Sequence, residues 1–244
     1  MQDHKKQLEI LLIQYFRDCC PAFPKGSVVA SESPDFIVRA KHGKKVGVEL
    51  VRLFPAITNS VSGSNQTADL RNELIGNVKE LFERFLSFNL FVKFYFSENK
   101  QIAAERLLTV SARVAATLKT ALTGKNEQSF FVHHLTSNKL PEGIDEVLVV
   151  HHPKLSESVW EEVRSVAISE NNISEIARLI QKKEEKMYLY RKKKLDEYWL
   201  LIVTDHLLQN RNVKISDLLS TEDFRSEFQK VFLFDVLNSK ISEL

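Results

Sequence analysis

Glycine is scarce in this chain, with 7 in 244 residues. That leaves little room for a phosphate-cradling glycine loop or a dinucleotide fingerprint. Neither pattern occurs, and no serine nucleophile motif is present. Cysteine is scarcer still. Cys19 and Cys20 are adjacent, a spacing that disfavours a disulfide and gives no CxxC, so a reducing compartment is expected. Long apolar runs are missing too: "YWLLIV" is strand-sized and far too short for a bilayer. The start, "MQDHKKQLEILLIQYF", is interrupted by Glu9 and Gln14, and no small-residue cleavage site follows. It does not read as a secretion signal, and a cytoplasmic protein with no membrane partner is expected. Nor does one charge dominate: 34 basic side chains face 32 acidic ones, for a net +2. That balance neither requires nor forbids a nucleic-acid partner, because distribution decides.

What is present is ordinary globular material, 43% hydrophobic and 27% charged. Leu8, Leu11, Leu12, Tyr15 and Phe16 recur at helical spacing and predict a helix over 3–18, ended by "CPAFPKG". Strands are expected at 35–40 and 44–52, then a long polar loop, "FPAITNSVSGSNQTADL". Further helices are expected at 69–88, 101–122, 157–168 and 173–193. "NLFVKFYFSE", "QSFFVHHL", "DEVLVVHH" and "EYWLLIVTD" read as strands, and "TEDFRSEFQKVFLFD" as a short helix running into a last strand. The alternation predicts an α/β fold, a central mixed β-sheet flanked by helices, with residues 1–244 as one domain.

The stretch "SPDFIVRAKHGKKVGVELVRL" carries the main functional signal. A three-residue turn of Lys41, His42 and Gly43, flanked by Ala40 and Lys44, places Asp35 opposite Glu49. Asp35, Ile37, Arg39, Lys45, Gly47 and Glu49 then share one face. Phe36, Val38, Ala40, Val46, Val48 and Leu50 form an apolar second face. A two-residue loop would instead put the acids on opposite faces. Paired carboxylates need a cation or a proton between them, unless both are simply hydrated.

"SPDF", an apolar strand, a turn and "VGVEL" together resemble the PD-(D/E)XK nuclease superfamily, the restriction-endonuclease-like fold. Pro34-Asp35 matches the first half of its motif, and Glu49-Leu50-Val51 the second half except the last position, where Val51 replaces the lysine. The order of helix, hairpin, helix and strand over residues 3–97 is similar to the family core. The resemblance implies magnesium or manganese held by Asp35, Glu49 and the Leu50 carbonyl, with DNA as partner and a homodimer left open. It also implies a lysine moved onto a helix. Lys183 falls in the apolar stripe of Ile176, Ile180, Met187 and Tyr190, with Lys186 one turn on; the alternative is a lysine that snorkels into water. Asn172 and Glu175 resemble a capping box at that helix start.

Lys182, Lys186, Tyr190 and Lys193 are expected to contact nucleic acid, beside Tyr188 and the run Arg191 to Lys194. Cations at a helix C-terminus also suit the helix dipole alone. Glu9 and Glu32 are weaker candidates for an extra acid. His133-His134, His151-His152 and Asp205-His206 read mainly as solvated strand ends. The expected function is thus a metal-dependent DNA nuclease. The alternative is a catalytically inactive nuclease-fold protein that binds nucleic acid or a protein partner.

Overall fold

The computed structural model describes residues 2–54, 65–86, 88–167, 170–208 and 226–244. In chain order, α1 (Gln2–Cys19) leads to the strands β1 (Gly26–Ala30), β2 (Phe36–Ala40) and β3 (Lys45–Arg52). Then come α2 (Asn65–Glu83), β4 (Phe91–Phe96), α3 (Leu107–Leu122), β5 (Phe131–Thr136), β6 (Ile144–His151) and β7 (Val159–Glu162). The chain continues with β8 (Ser165–Ala167), α4 (Glu170–Glu184), α5 (Met187–Arg191), β9 (Glu197–Thr204) and β10 (His206–Leu208). It ends with β11 (Lys230–Asp235) and β12 (Lys240–Glu243). The architecture is α/β, with mixed sheets flanked by helices. Among the described residues no helix is long and apolar enough to cross a membrane.

The chain divides into two compact units: 1–12 with 58–163, and 13–57 with 164–244. In the first, the sheet runs β5-β6-β4-β7. Leu74, Val78 and Phe82 of α2 and Val110, Val114 and Leu118 of α3 pack with Val92, Phe94, Val147 and Val149. The helix expected over 157–168 is absent; β7 and β8 occupy 159–162 and 165–167 instead. Glu161 and Glu162 suggest a helix by propensity, but Val159 and Trp160 suit a strand, and β7 pairs in parallel with β4. The two glutamates then find cations, Glu161 with Lys93 of β4 and Glu162 with Arg71 of α2, each at 2.7 Å.

In the second unit the sheet order is β1-β2-β3-β9-β11-β12. The strands β3, β9 and β11 run parallel to one another, and the edges are antiparallel. One face, with Trp199, Phe232 and Phe234, meets Tyr15 and Phe16 of α1 and the nearby Phe23. The other face, with Leu200, Ile202, Val231 and Leu233, packs on Ile176 and Ile180 of α4 and Met187 and Tyr190 of α5. The short β10 pairs with β8 in a separate parallel pair.

The hairpin has the expected turn. Lys41–Gly43 form a 3-10 turn, Gly43 takes φ +85°, and the Ala40 N–H donates to the Lys44 carbonyl at 2.8 Å. Only glycine enters that left-handed region at no steric cost. The ladder pairs Phe36 with Val48, Ile37 with Gly47, and Val38 with Val46. Phe36, Val38, Val46, Val48 and Leu50 are all buried, so that face is core as the alternation requires.

The elements that pack around this hairpin differ from those expected; the last turns of α1, from residue 13 on, belong to this unit. The hairpin's sheet neighbour is β9, preceded by α4 and α5. The expected α2 and β4 belong to the other unit. The strands β1, β10 and β12 went unanticipated, being short or exposed and poor in apolar alternation. The expected 55–64 portion of the polar loop and the helix before β11 lie outside the described residues.

Gly47 is where the hairpin meets its cover. A Cβ there would come within 2.6 Å of Pro34 Cγ and 2.8 Å of Leu195 Cδ1. Gly47→Val is expected to cost about 1–3 kcal/mol of stability through overpacking. Urea unfolding reads this as a lower midpoint at unchanged slope; a wild-type midpoint would show that the cover is loose.

Candidate functional site

Past the Phe36–Val48 pair the backbone ladder of the hairpin stops, and side chains take over. The Asp35 N–H donates to Glu49 Oε2 at 3.2 Å, and the Leu50 N–H donates to Asp35 Oδ2 at 2.9 Å. The two acids thereby stitch the strand ends together. In an extended strand the N–H and C=O of one residue point to the same edge. The Leu50 carbonyl therefore faces the Asp35 edge as its amide does.

Lys183 completes the group. Its stripe neighbours Ile180 and Met187 are buried, so α4 turns Lys183 inward onto the sheet. Its Nζ donates to Glu49 Oε1 at 2.6 Å, and its side chain is only 17% exposed. Glu49 is 5% exposed. Burial, then the neighbouring Asp35 charge, push the Glu49 carboxyl up from its ordinary range; the Lys183 ammonium pulls it back down. Tyr190, seven residues beyond Lys183 on the same stripe, is wholly buried. Its hydroxyl makes no hydrogen bond of standard geometry. Burial, then the nearby Glu49 charge, still drive its ionisation far above the ordinary phenol range. Tyr190 thus offers an un-ionised O–H beside the carboxylates.

Tyr190, expected on a nucleic-acid surface, is fully buried and cannot stack on a base; it lies beside Glu49 instead, on the apolar stripe it shares with Lys183. Lys182, Lys186 and Lys193 are exposed, as is Tyr188, over whose ring Lys192 sits at 5.7 Å. The expected 173–193 helix is two helices, with the turn at Glu185 and Lys186 between them. Glu175 caps nothing; its carboxylate grips Arg178 with two hydrogen bonds of 2.7 Å. Val51 is half-buried against the core of α4 and α5.

The weaker candidates fall elsewhere. Glu9 belongs to the first unit and pairs along its own helix with Lys5 at 3.6 Å and Lys6 at 3.3 Å. Glu32 is exposed. His151 is not a solvated strand end: it is 2% exposed, each ring nitrogen 2.8 Å from a backbone carbonyl, of Asn89 and of Glu127. His152 Nδ1 accepts the Lys154 N–H. Among the described residues no group of three or more His, Cys, Asp and Glu gathers to hold a metal.

Asp35, Glu49 and Lys183 leave one negative charge in excess. The donor set for a cation is oxygen only, two carboxylates and a strand-edge carbonyl. Magnesium-type ions take such oxygens, often through one or two carboxylates with waters and phosphate completing the shell. The residues therefore fit a hard divalent ion. They offer no imidazole or thiolate for a softer one.

Comparison with known protein families, with curated proteins and with solved structures finds no match.

Lys183→Met removes the charge that holds the Glu49 proton affinity down, while burial and Asp35 remain. Glu49 would then bind its proton more tightly folded than unfolded, so stability is kept at acid pH and lost as pH rises through the raised value. The penalty, on the order of 1–3 kcal/mol, is expected to be larger at about pH 8 than at about pH 5. The double variant Lys183→Met/Glu49→Gln should erase that pH difference. Chemical denaturation at both pH values reads it, and equal penalties would sink the ion-pair account.

Proposed function

We propose that this chain is a divalent-metal-dependent nuclease of the restriction-endonuclease-like type, hydrolysing phosphodiester bonds of DNA in the cytoplasm. The observation that carries the proposal is that Lys183, 134 residues further along the chain, donates to Glu49 at 2.6 Å, while the backbone N–H of Asp35, at the end of the same hairpin, donates to the other Glu49 oxygen. The unit's order of helix, hairpin, helix and strand supports the same reading. So does the position of the lysine. Val51 cannot act as a cation, but Lys183 brings an ammonium to the acid next to it in the motif.

A magnesium or manganese ion held by Asp35, Glu49 and the Leu50 carbonyl would neutralise phosphate charge and lower the pKa of a bound water. The chain's own residues do the rest. Asp35 and Glu49 are fixed by backbone amides, so they need not reorganise on binding. Lys183 places a positive charge beside the phosphate, where it orients water and offsets the negative charge developing in the transition state. Tyr190 and the packed stripe beneath it keep bulk water from the inner side of Glu49. Exposed Lys182, Lys186 and Lys193 on the same helical segment offer contacts to the phosphate backbone. Cys19 and Cys20 are free thiols, which accords with a reducing cytoplasm.

The test is cleavage of plasmid and single-stranded DNA, with magnesium or manganese, by wild type and by Asp35→Asn, Glu49→Gln and Lys183→Met. Cleavage by wild type that chelation abolishes is expected, with losses of about 100-fold or more in each variant. A folded wild type that cuts neither DNA nor RNA with either metal would overturn the proposal in favour of a non-catalytic binding protein, the reading that Val51 favours.

A further inference from the structure

A second charged group lies at the C-terminal end of β3. Arg52 ends β3, three residues after Glu49, and Asp205 follows β9. Asp205 is 7% exposed and holds two elements at once: Arg52 Nη2 donates to its Oδ1 at 3.1 Å, and the Arg164 backbone N–H donates to its Oδ2 at 3.2 Å. Both guanidinium groups converge on one ring, with Arg52 Cζ 5.0 Å and Arg164 Cζ 5.6 Å from the Phe54 centroid. That ring is 47% exposed.

Asp205 pairs with Arg52, and among the described residues the exposed Arg164 guanidinium has no carboxylate partner. Arg164 therefore presents a positive charge to solvent, on a side chain whose backbone is fixed by a buried acid. Arginine matches phosphate oxygens with a planar fork of donors, and an aromatic backing keeps that fork in place.

We propose that Arg52, Phe54 and Arg164 form a phosphate-binding subsite for a DNA strand whose scissile bond lies at Asp35 and Glu49. This rests on the nuclease reading for its register. Three strand residues span roughly 10 Å, about three nucleotides at ~3.4 Å of rise each, and Arg52 leaves β3 on the opposite face from Glu49. The subsite thus holds a phosphate a few nucleotides from the bond that is cut, on a strand that passes round the C-terminal end of β3. Arg164 makes the direct contact. Arg52, tied to Asp205, and Phe54 position it.

The probe is a short fluorescein-labelled DNA strand, single-stranded or as a duplex, titrated with the full chain in calcium to suppress cutting. Arg164→Gln is the informative variant, because its tie to Asp205 runs through the backbone and survives. Arg52→Gln would take a charged partner from the buried Asp205 carboxylate and risks unfolding. Arg164→Gln is expected to weaken binding several-fold at low salt and to reduce the slope of log affinity against log salt by about one. Arg113→Gln, exposed on α3, serves as control and is expected to bind as wild type does. Unchanged affinity and slope in Arg164→Gln, or no binding of either probe by wild type, would overturn the subsite. Weakened binding in a protein that never cleaves DNA would uphold the subsite while the nuclease reading fails. Normal cleavage with unaffected Arg164→Gln binding would do the reverse.

Discussion

Parity in one hairpin decides where every functional group in the second unit can be. A three-residue turn closed by Gly43 puts odd positions of β2 and β3 on the α4 face and even positions in the core against α1. Strand side chains alternate with a period of two, so a slip by one residue would drive Glu49 into the aromatic layer around Phe16 and expose Val48. The apolar set is therefore the enforcing element. Burying Phe36, Val38, Val46 and Val48 holds the register, and Asp35 and Glu49 ride on it. The acids in turn finish the pairing where the ladder stops, each accepting an amide from the other's strand. A carboxylate that terminates a β-ladder is preorganised by the fold itself, and this explains how two like charges are held close.

That closeness carries an electrostatic cost, and Lys183 is its counterweight. Removing Glu49 from water disfavours its charged form, and Asp35 adds to the effect. One ammonium offsets part of this. Val51 makes the arrangement intelligible. On β3 it faces the same side as Glu49, at the register position of Ile202 beneath α4. A lysine there would start on the strand, under the helix. Here the strand position packs and the helix above supplies the ammonium, so the charge approaches Glu49 from the opposite direction.

Much of this was visible in the sequence because it is local. The hairpin turn, its register and the core face follow from alternation and one glycine. Lys183 stood out because a charged residue in an apolar helical stripe violates the pattern that buries the stripe. What stayed hidden is what depends on partners far away in the chain. Residues 58–163 intervene between β3 and the helices that cover it, so the expected third and fourth core elements were taken from the nearer α2 and β4. Helical propensity in "VWEEV" lost to pairing with β4, a tertiary effect that no window of ten residues contains. Tyr190 was assigned by its company of lysines rather than by its stripe. The Asp205 anchor drew no notice as such, because a buried acid with two partners looks in sequence like any strand-end aspartate.

The long separation has a consequence for assembly. Asp35 and Glu49 meet through a hairpin, which closes quickly and locally. Lys183 reaches Glu49 from α4, which packs on the sheet that joins β3 to β9. The ion pair therefore depends on that sheet being formed. The same dependence links Arg52, on β3, to Asp205, which follows β9, and to Arg164, which precedes β8. Both charged groups thus report on a single event, the parallel pairing of β3 with β9. Anything that loosens that pair would weaken the two sites together, although neither Val48 nor Trp199, which meet there, touches a charge in either site.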